Sequence, residues 1–287
     1  MNCRWISSIL AFLLTLVLAG CTTVRTQEPH TQSPVPRVQK VIALSSLSAD
    51  IIAYLDQTKL VGITGSRLFK DDPKFKDIPR VSEGQGLPSL EKIVALKPDL
   101  VIGASGFSDV TLKRLEELKI RTLSTKVNSW QSLEDITKTL AEVINVDPQS
   151  LLNRYKSFLP EKLNQTNSTL VLVSRQPILT PNKNSWAGDL LTKFGIKNVA
   201  AELQGNSPIG GYVTLSAEKV LEANPDSLIV VNAESTLLDS LKKETFWQQL
   251  QATKNNRVYV FDYYGLVNPG SLNAIEKACQ QLKDNLL

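Results

Sequence analysis

The sequence predicts an α/β fold of two lobes with mostly parallel sheets, joined by a single linking helix, with a ligand cleft between them. Three observations carry this. From residue 40 onward, short apolar runs alternate with segments of helical periodicity, the pattern of repeated β–α units. The segment Ser89 through Ile102 is answered 127 residues further on by Ser216 through Val230, one copy in each half. The chain, 287 residues with 42% hydrophobic and 21% charged positions, is ordinary globular composition and long enough for two buried cores. The expected units are therefore two Rossmann-like lobes.

The N-terminal residues read as an address. Residues 1–20 carry one charge, Arg4, ahead of an uncharged run from Trp5 to Gly20. That is the build of a secretory signal, whereas a membrane span needs about 20 apolar residues. Residues 21–38 are polar and hold Pro29, Pro34 and Pro36, so they predict a flexible tether.

The first lobe is expected over residues 39–146. Val41 to Leu44 is its first strand, and Ser48 caps a helix through Ile51, Ile52 and Leu55. Val61 to Thr64 is the second strand. Ser89 starts a helix through Ile93 and Leu96 that Pro98 stops, and Leu100 to Ile102 is a buried strand. A helix follows over Asp109 to Leu118, then a strand over Arg121 to Leu123, then a helix from Ser132 to Ile144.

The linking helix is expected over residues 147–167. Asp147-Pro148 has the chemistry of a helix start, and Leu151, Leu152, Tyr155, Phe158 and Leu163 form its stripe. Pro160 forces a kink or an early stop. The second lobe, 168–287, resumes the alternation with a strand from Leu170 to Val173 and a helix from Trp186 to Phe194. Strands over Leu228 to Val231 and Val258 to Phe261 follow, then a last helix from Ser271.

Several functions are excluded by what the residues lack. His30 is the only histidine and lies in the tether; the three cysteines, Cys3, Cys21 and Cys279, make no Cys-x-x-Cys pair. Histidine-based triads, two-histidine metal sites, zinc fingers and iron–sulfur clusters therefore have no residues to build them. Cys279 reads as a small buried residue of the last helix. No Walker A loop, dinucleotide fingerprint or Gly-x-Ser-x-Gly elbow occurs, and Gly84-Gln85-Gly86 is too short for a phosphate loop. The net charge of +4 is scattered, which does not argue for nucleic acid. No enzyme and no cofactor is expected.

Leu18-Ala19-Gly20-Cys21 resembles the bacterial lipobox, which implies a mature chain beginning at a lipidated Cys21 and held on the bacterial envelope, facing the periplasm. The whole arrangement resembles the periplasmic binding proteins of ABC importers for ferric siderophores, haem and cobalamin. The residues that carry the resemblance are Val41 to Ser45, Leu60 to Ile63, Leu90 to Ile102, Leu215 to Val231, and Trp247 to Leu250 leading into Asn256 to Asp262. It implies a monomer that serves an ABC permease, and it implies permease docking through Glu91 and Glu218, one in each copy of the repeated segment. Paired carboxylates on separate lobes suit bidentate arginine contacts; helix-dipole compensation is the simpler reading of the same acids.

Ligands of open α/β sheets lie beyond the carboxyl ends of the strands. That rule selects Ser45, Ser46, Arg67, Gln85, Phe107, Lys126, Trp186, Tyr212, Asn232, Tyr263 and Tyr264, with Asn182, Gly210-Gly211 and Glu234 nearby. Amides at the helix starts after Ser45 and Ser105 suit oxyanions, Arg67 and Lys126 suit an anionic chelate, and the aromatic rings suit a macrocycle. Phe107 and Trp186 fit core and cleft alike, and Tyr263 and Tyr264 point to opposite faces if extended. The expected cargo is a ferric siderophore delivered intact, with cobalamin second and haem third. The alternative of another class is an envelope scaffold or sensor that kept the fold with a filled cleft.

Overall fold

The computed structural model describes residues 37–84, 86–162, 167–204, 209–232 and 236–287. The expected signal, Cys21, His30, Gln85, Leu163 and Glu234 lie outside them. The described chain belongs to one compact unit, Pro36–Leu287. Val38 is already a buried core residue, so the body starts inside the stretch expected to be tether.

The first sheet has strands β1 (Val41–Ala43), β2 (Leu60–Ile63), β3 (Leu100–Ala104) and β4 (Thr122–Thr125), with α1 (Ser46–Asp56), α2 (Leu90–Ala95), α3 (Asp109–Glu117) and α4 (Trp130–Ile144). Its strands are all parallel in the order β2-β1-β3-β4. After α5 (Gln149–Phe158), the second sheet is built from β5 (Ser168–Leu172), β8 (Lys197–Asn198), β10 (Ser227–Asn232) and β11 (Val258–Asp262). Read from β8, its order is β8-β5-β10-β11, again all parallel. Position for position this is the same topology: the lobe's first strand lies second and its third strand lies third. The direction in which successive strands are added reverses between those two strands, which is where such sheets open a crevice.

The repeated segment explains the likeness at atomic level. Ser89 and Ser216 cap α2 and α7 (Ala217–Ala223) by accepting from the amides of Lys92 and Lys219 at 3.2 and 3.3 Å. Beyond each helix a Pro-Asp carboxylate ties back to the lobe's first strand. Asp99 accepts from the amides of Gln39 and Lys40 at 2.8 and 2.9 Å, and Asp226 from the amide and hydroxyl of Ser168 at 2.8 and 2.7 Å.

The buried side chains obey the two-residue strand period. Ile42 and Val101 face one side of the first sheet; Val41, Ala43, Leu100 and Ile102 face the other. In the second sheet Leu170, Leu172, Leu228 and Val230 face outward into their own cluster, while Val171, Ile229, Val231 and Phe261 face inward. The inward faces of both sheets, with α4, α5 and α11 (Leu272–Leu286), form one continuous core. The lobes thus share a core, a third cluster beyond the two expected, and this shared packing resists large hinge motion.

The remaining elements are small. β6 (Ser174–Arg175), β7 (Ile178–Pro181) and β9 (Tyr212–Leu215) make an antiparallel sheet that the sequence reading missed. α6 (Trp186–Lys193), α8 (Leu237–Leu241), α9 (Gln251–Lys254) and the irregular turn α10 (Tyr263–Leu266) complete the second lobe. Cys279 is fully buried in α11, and burial pushes its thiol up to about 12.

Some boundaries differ from expectation for capping reasons. Ser45, not Ser48, caps α1, and Ser129, not Ser132, caps α4; Ser132 returns its hydroxyl to the Ser129 amide in a capping box. The linking helix ends at Phe158, because Leu159 is extended ahead of Pro160. Among the described residues no helix is long and apolar enough to cross a membrane.

Candidate functional site

The site is assembled where the strands of both sheets end. Beyond β2 the chain makes a tight approach: the Ser82 hydroxyl lies 2.9 Å from both the Thr64 hydroxyl and the Gly65 amide, and a Cβ on Gly65 would sit 2.4 Å from the Ser82 carbonyl. This turn presents Arg67, whose exposed guanidinium lies 4.9 Å above the Tyr264 ring. Tyr264 packs edge-on against Tyr263 at 5.4 Å. Gly270 brings backbone against the Tyr264 ring and the Leu68 side chain, where a Cβ would meet them at 2.4 and 2.8 Å. Tyr212 is buried, and that burial together with the nearby Tyr263 raises its hydroxyl pKa. Arg67, Tyr212, Tyr263 and Tyr264 thus form one cluster that crosses from the first lobe to the second.

Other expected residues sit around this cluster or leave it. Lys126 is exposed just past β4, and Asn232 is exposed at the end of β10, paired with Asp262 of β11. Ser46 is half-buried in the first turn of α1. Ser45 is committed to the cap, its oxygen accepting from the Ser48 amide at 3.2 Å. Phe107 stands 89% exposed, so it belongs to no core. Asn182 is occupied structurally, donating to the Leu203 carbonyl and accepting from the Asn184 amide.

Two expectations are overturned. Trp186 is a core residue: it is buried, stacked on Trp130 at 6.1 Å, and its indole N–H donates to the Gly265 carbonyl at 2.7 Å. The helix start after Ser105 does not wait for an oxyanion, because the Asp109 carboxylate already accepts from the Gly106 amide at 3.0 Å and repels a second negative charge. In addition, Tyr263 and Tyr264 are not extended; they occupy the turn α10, so their rings touch instead of diverging.

Glu91 and Glu218 are the second residues of α2 and α7, both exposed at the amino ends of their helices. The Ser216 hydroxyl and its own backbone N–H hold the Glu218 carboxyl below the usual range, so it is ionised at neutral pH. Among the described residues neither acid has an ion-pair partner of its own, whereas the adjacent lysines do: Lys92 with Glu83, and Lys219 with Glu222. Sequence reasoning passed over Leu87, 86% exposed and four residues before Glu91. An apolar residue next to Pro88 in a polar loop was the available signal.

The family model described as periplasmic binding protein matches residues 41–264, which span both sheets and the tyrosine cluster.

The chain belongs to the periplasmic binding protein family.

It is similar to an uncharacterized ABC transporter substrate-binding lipoprotein, YvrC, of Bacillus subtilis, 25% identical over 78% of this chain and 73% of that one. The vitamin B12-binding protein of Salmonella paratyphi A is 28% identical over 74% of this chain and 78% of its own. Among solved structures, an ABC transporter substrate-binding protein from Listeria monocytogenes superposes with a TM-score of 0.70 at 24% identity, covering 87% of this chain and 99% of that one. This chain is accordingly a binding protein and not an enzyme, and the Bacillus subtilis and Listeria monocytogenes relatives are named as substrate-binding components of ABC transporters.

Proposed function

We propose that the protein captures a large metal chelate in the cleft between its lobes and delivers it unaltered to the permease. The observation that carries this reading is the cluster of Arg67, Tyr263 and Tyr264 beyond the carboxyl ends of β2 and β11, with the buried Tyr212 at the start of β9 close to Tyr263. Its chemistry is flat aromatic surface with one guanidinium, and that guanidinium is already stacked on a ring. Such a lining favours a macrocycle of low net charge, and the relatives named as vitamin B12-binding proteins agree. A corrinoid is therefore the first reading of the cargo. A ferric siderophore is the second, supported by Lys126 and Arg67 as exposed cations near the same edge; haem stays third.

The chain is held on the envelope through lipid on Cys21, acts as a monomer, and docks Glu91 and Glu218 onto cationic groups of the permease. Two unpaired carboxylates at matching helix positions support the docking. Native mass spectrometry against cyanocobalamin, ferric hydroxamates, ferric catecholates and haem tests the cargo. One compound class retained at one per chain, with its intact mass, is expected. Indifference to the whole panel would reject capture and favour an envelope scaffold. Charge reversal at both Glu91 and Glu218 is expected to abolish transport with cargo affinity unchanged; lost affinity would reject docking.

A further inference from the structure

The lobes exchange helix ends in a reciprocal way that the cargo cluster does not explain. After the first strand of each lobe, the next helix is α1 in the first lobe and α6, beyond β6 and β7, in the second; the lobes close with the long helices α4 and α11. Asp50 on α1 accepts from the amide of Leu272, the first residue of α11, at 2.8 Å. Asp189 on α6 accepts from the amide of Trp130, the first residue of α4, at 2.6 Å. The first helix of each lobe therefore grips the leading amide of the other lobe's last helix.

Ordinary capping does not require this. Ser129 and Ser271 already satisfy the third amide of their helices, accepting from Ser132 and Ala274. The carboxylates add a second acceptor at the first amide, where the positive end of the helix dipole lies. Nor is Asp50 placed by default: it is 2% exposed within the buried run Leu47–Ala53, where an unpaired carboxylate is costly. It is compensated on both oxygens, one by Leu272 and the other by Lys74 at 2.8 Å.

The surroundings tie both clasps to the packing between the lobes. Trp130 stacks on Trp186, nearly parallel at 17°, and Trp186 donates to Gly265 just ahead of α11. On the other side Arg154 of α5 reaches Glu276 of α11 at 2.6 Å and lies 5.5 Å over the Tyr54 ring of α1.

We infer that Asp50 and Asp189 are positioning residues that fix the angle between the lobes, and through it the width of the cleft and the spacing of Glu91 and Glu218. The consequence for cleft width rests on the cargo reading given above; the control of the lobe angle does not. The deciding experiment needs no cargo, so failure of either reading is distinguishable from failure of the other.

In the full-length chain in detergent, with Cys3 and Cys21 changed to serine and Cys279 left buried, spin labels at Lys92→Cys and Lys219→Cys report the distance between the docking helices. A single narrow distance distribution is expected for the parent, and a broadened or shifted one for Asp189→Ala and for the Asp50→Ala, Asp189→Ala pair. Asp189→Asn, whose amide oxygen still accepts from Trp130, is expected to recover the narrow distribution. A folded double variant with the parent's distribution overturns the inference. Because Asp50→Ala can unfold the chain, amide exchange in the unsubstituted protein gives a second readout. The Trp130 and Leu272 amides are expected to exchange at least about tenfold more slowly than fully exposed amides, the factor equivalent to about 1.5 kcal/mol for a hydrogen bond to a charged acceptor. Exchange at the exposed rate overturns it equally.

Discussion

Replacing Trp186 with phenylalanine separates a core role from a cleft role. The indole N–H donates to the buried Gly265 carbonyl at 2.7 Å, and the ring stacks on Trp130. Phenylalanine keeps an aromatic face but strands that carbonyl, which costs about 1–3 kcal/mol. The smaller ring also leaves a void that costs about another 1 kcal/mol. Together these give about 2–4 kcal/mol. For a folded unit spanning Pro36–Leu287, each kcal/mol lowers Tm by about 2–4 °C, so a fall of about 5–15 °C is expected. Differential scanning calorimetry measures it, and equilibrium dialysis measures affinity for whichever cargo the panel identifies. Unchanged affinity with the lower Tm is expected. An unchanged Tm with lost affinity would refute the reasoning and return Trp186 to the cleft.

Further outcomes follow from particular contacts. Gly265 has φ +98° and its position would put a Cβ 2.1 Å from the Ala274 carbonyl, so Gly265→Ala is expected to cost more than about 2 kcal/mol in chemical denaturation; a neutral result would contradict the α10 geometry. Hydrogen bonds from the Ser168 hydroxyl and amide hold Asp226 below the ordinary carboxylate range. A depressed folded value means its stabilisation is complete above about pH 4 and disappears as pH falls through that lower value. The stability gap between the parent and Asp226→Ala should therefore be widest near neutral pH and close towards pH 2, which urea melts across that range can check.

Much of the fold was legible because the signals were local. The repeated Ser-x-Glu-Lys to Pro-Asp segment specified a cap, a turn and a buried strand in each lobe, and each Asp ties down its lobe's first strand. Cap positions slipped by three residues at Ser45 and Ser129 because several serines stand in line and sequence alone does not say which is extended. β6, β7 and β9 escaped because two to four residues carry no period, and their pairing partners and the core contacts of Ile178 and Val213 are set by tertiary structure. The cleft was harder. The strand-end rule selected Arg67, Tyr263 and Tyr264, which the structure brings together, yet Trp186 obeyed the same rule and turned inward, since nothing local encodes its contact with Gly265, 79 residues away. Asp50 sits within an apolar helix stripe and went unread in the sequence, since its partner at Leu272 is set by tertiary structure alone.

Amide hydrogen exchange of the protein with and without the cargo that the panel identifies tests the central claim most directly. The account predicts slowed exchange at the strand ends of both lobes together, around Gly65 to Leu68, Ser105 to Phe107, and Tyr263 to Tyr264. Slowing confined to one lobe, or found only at the amino ends of the strands, would contradict it.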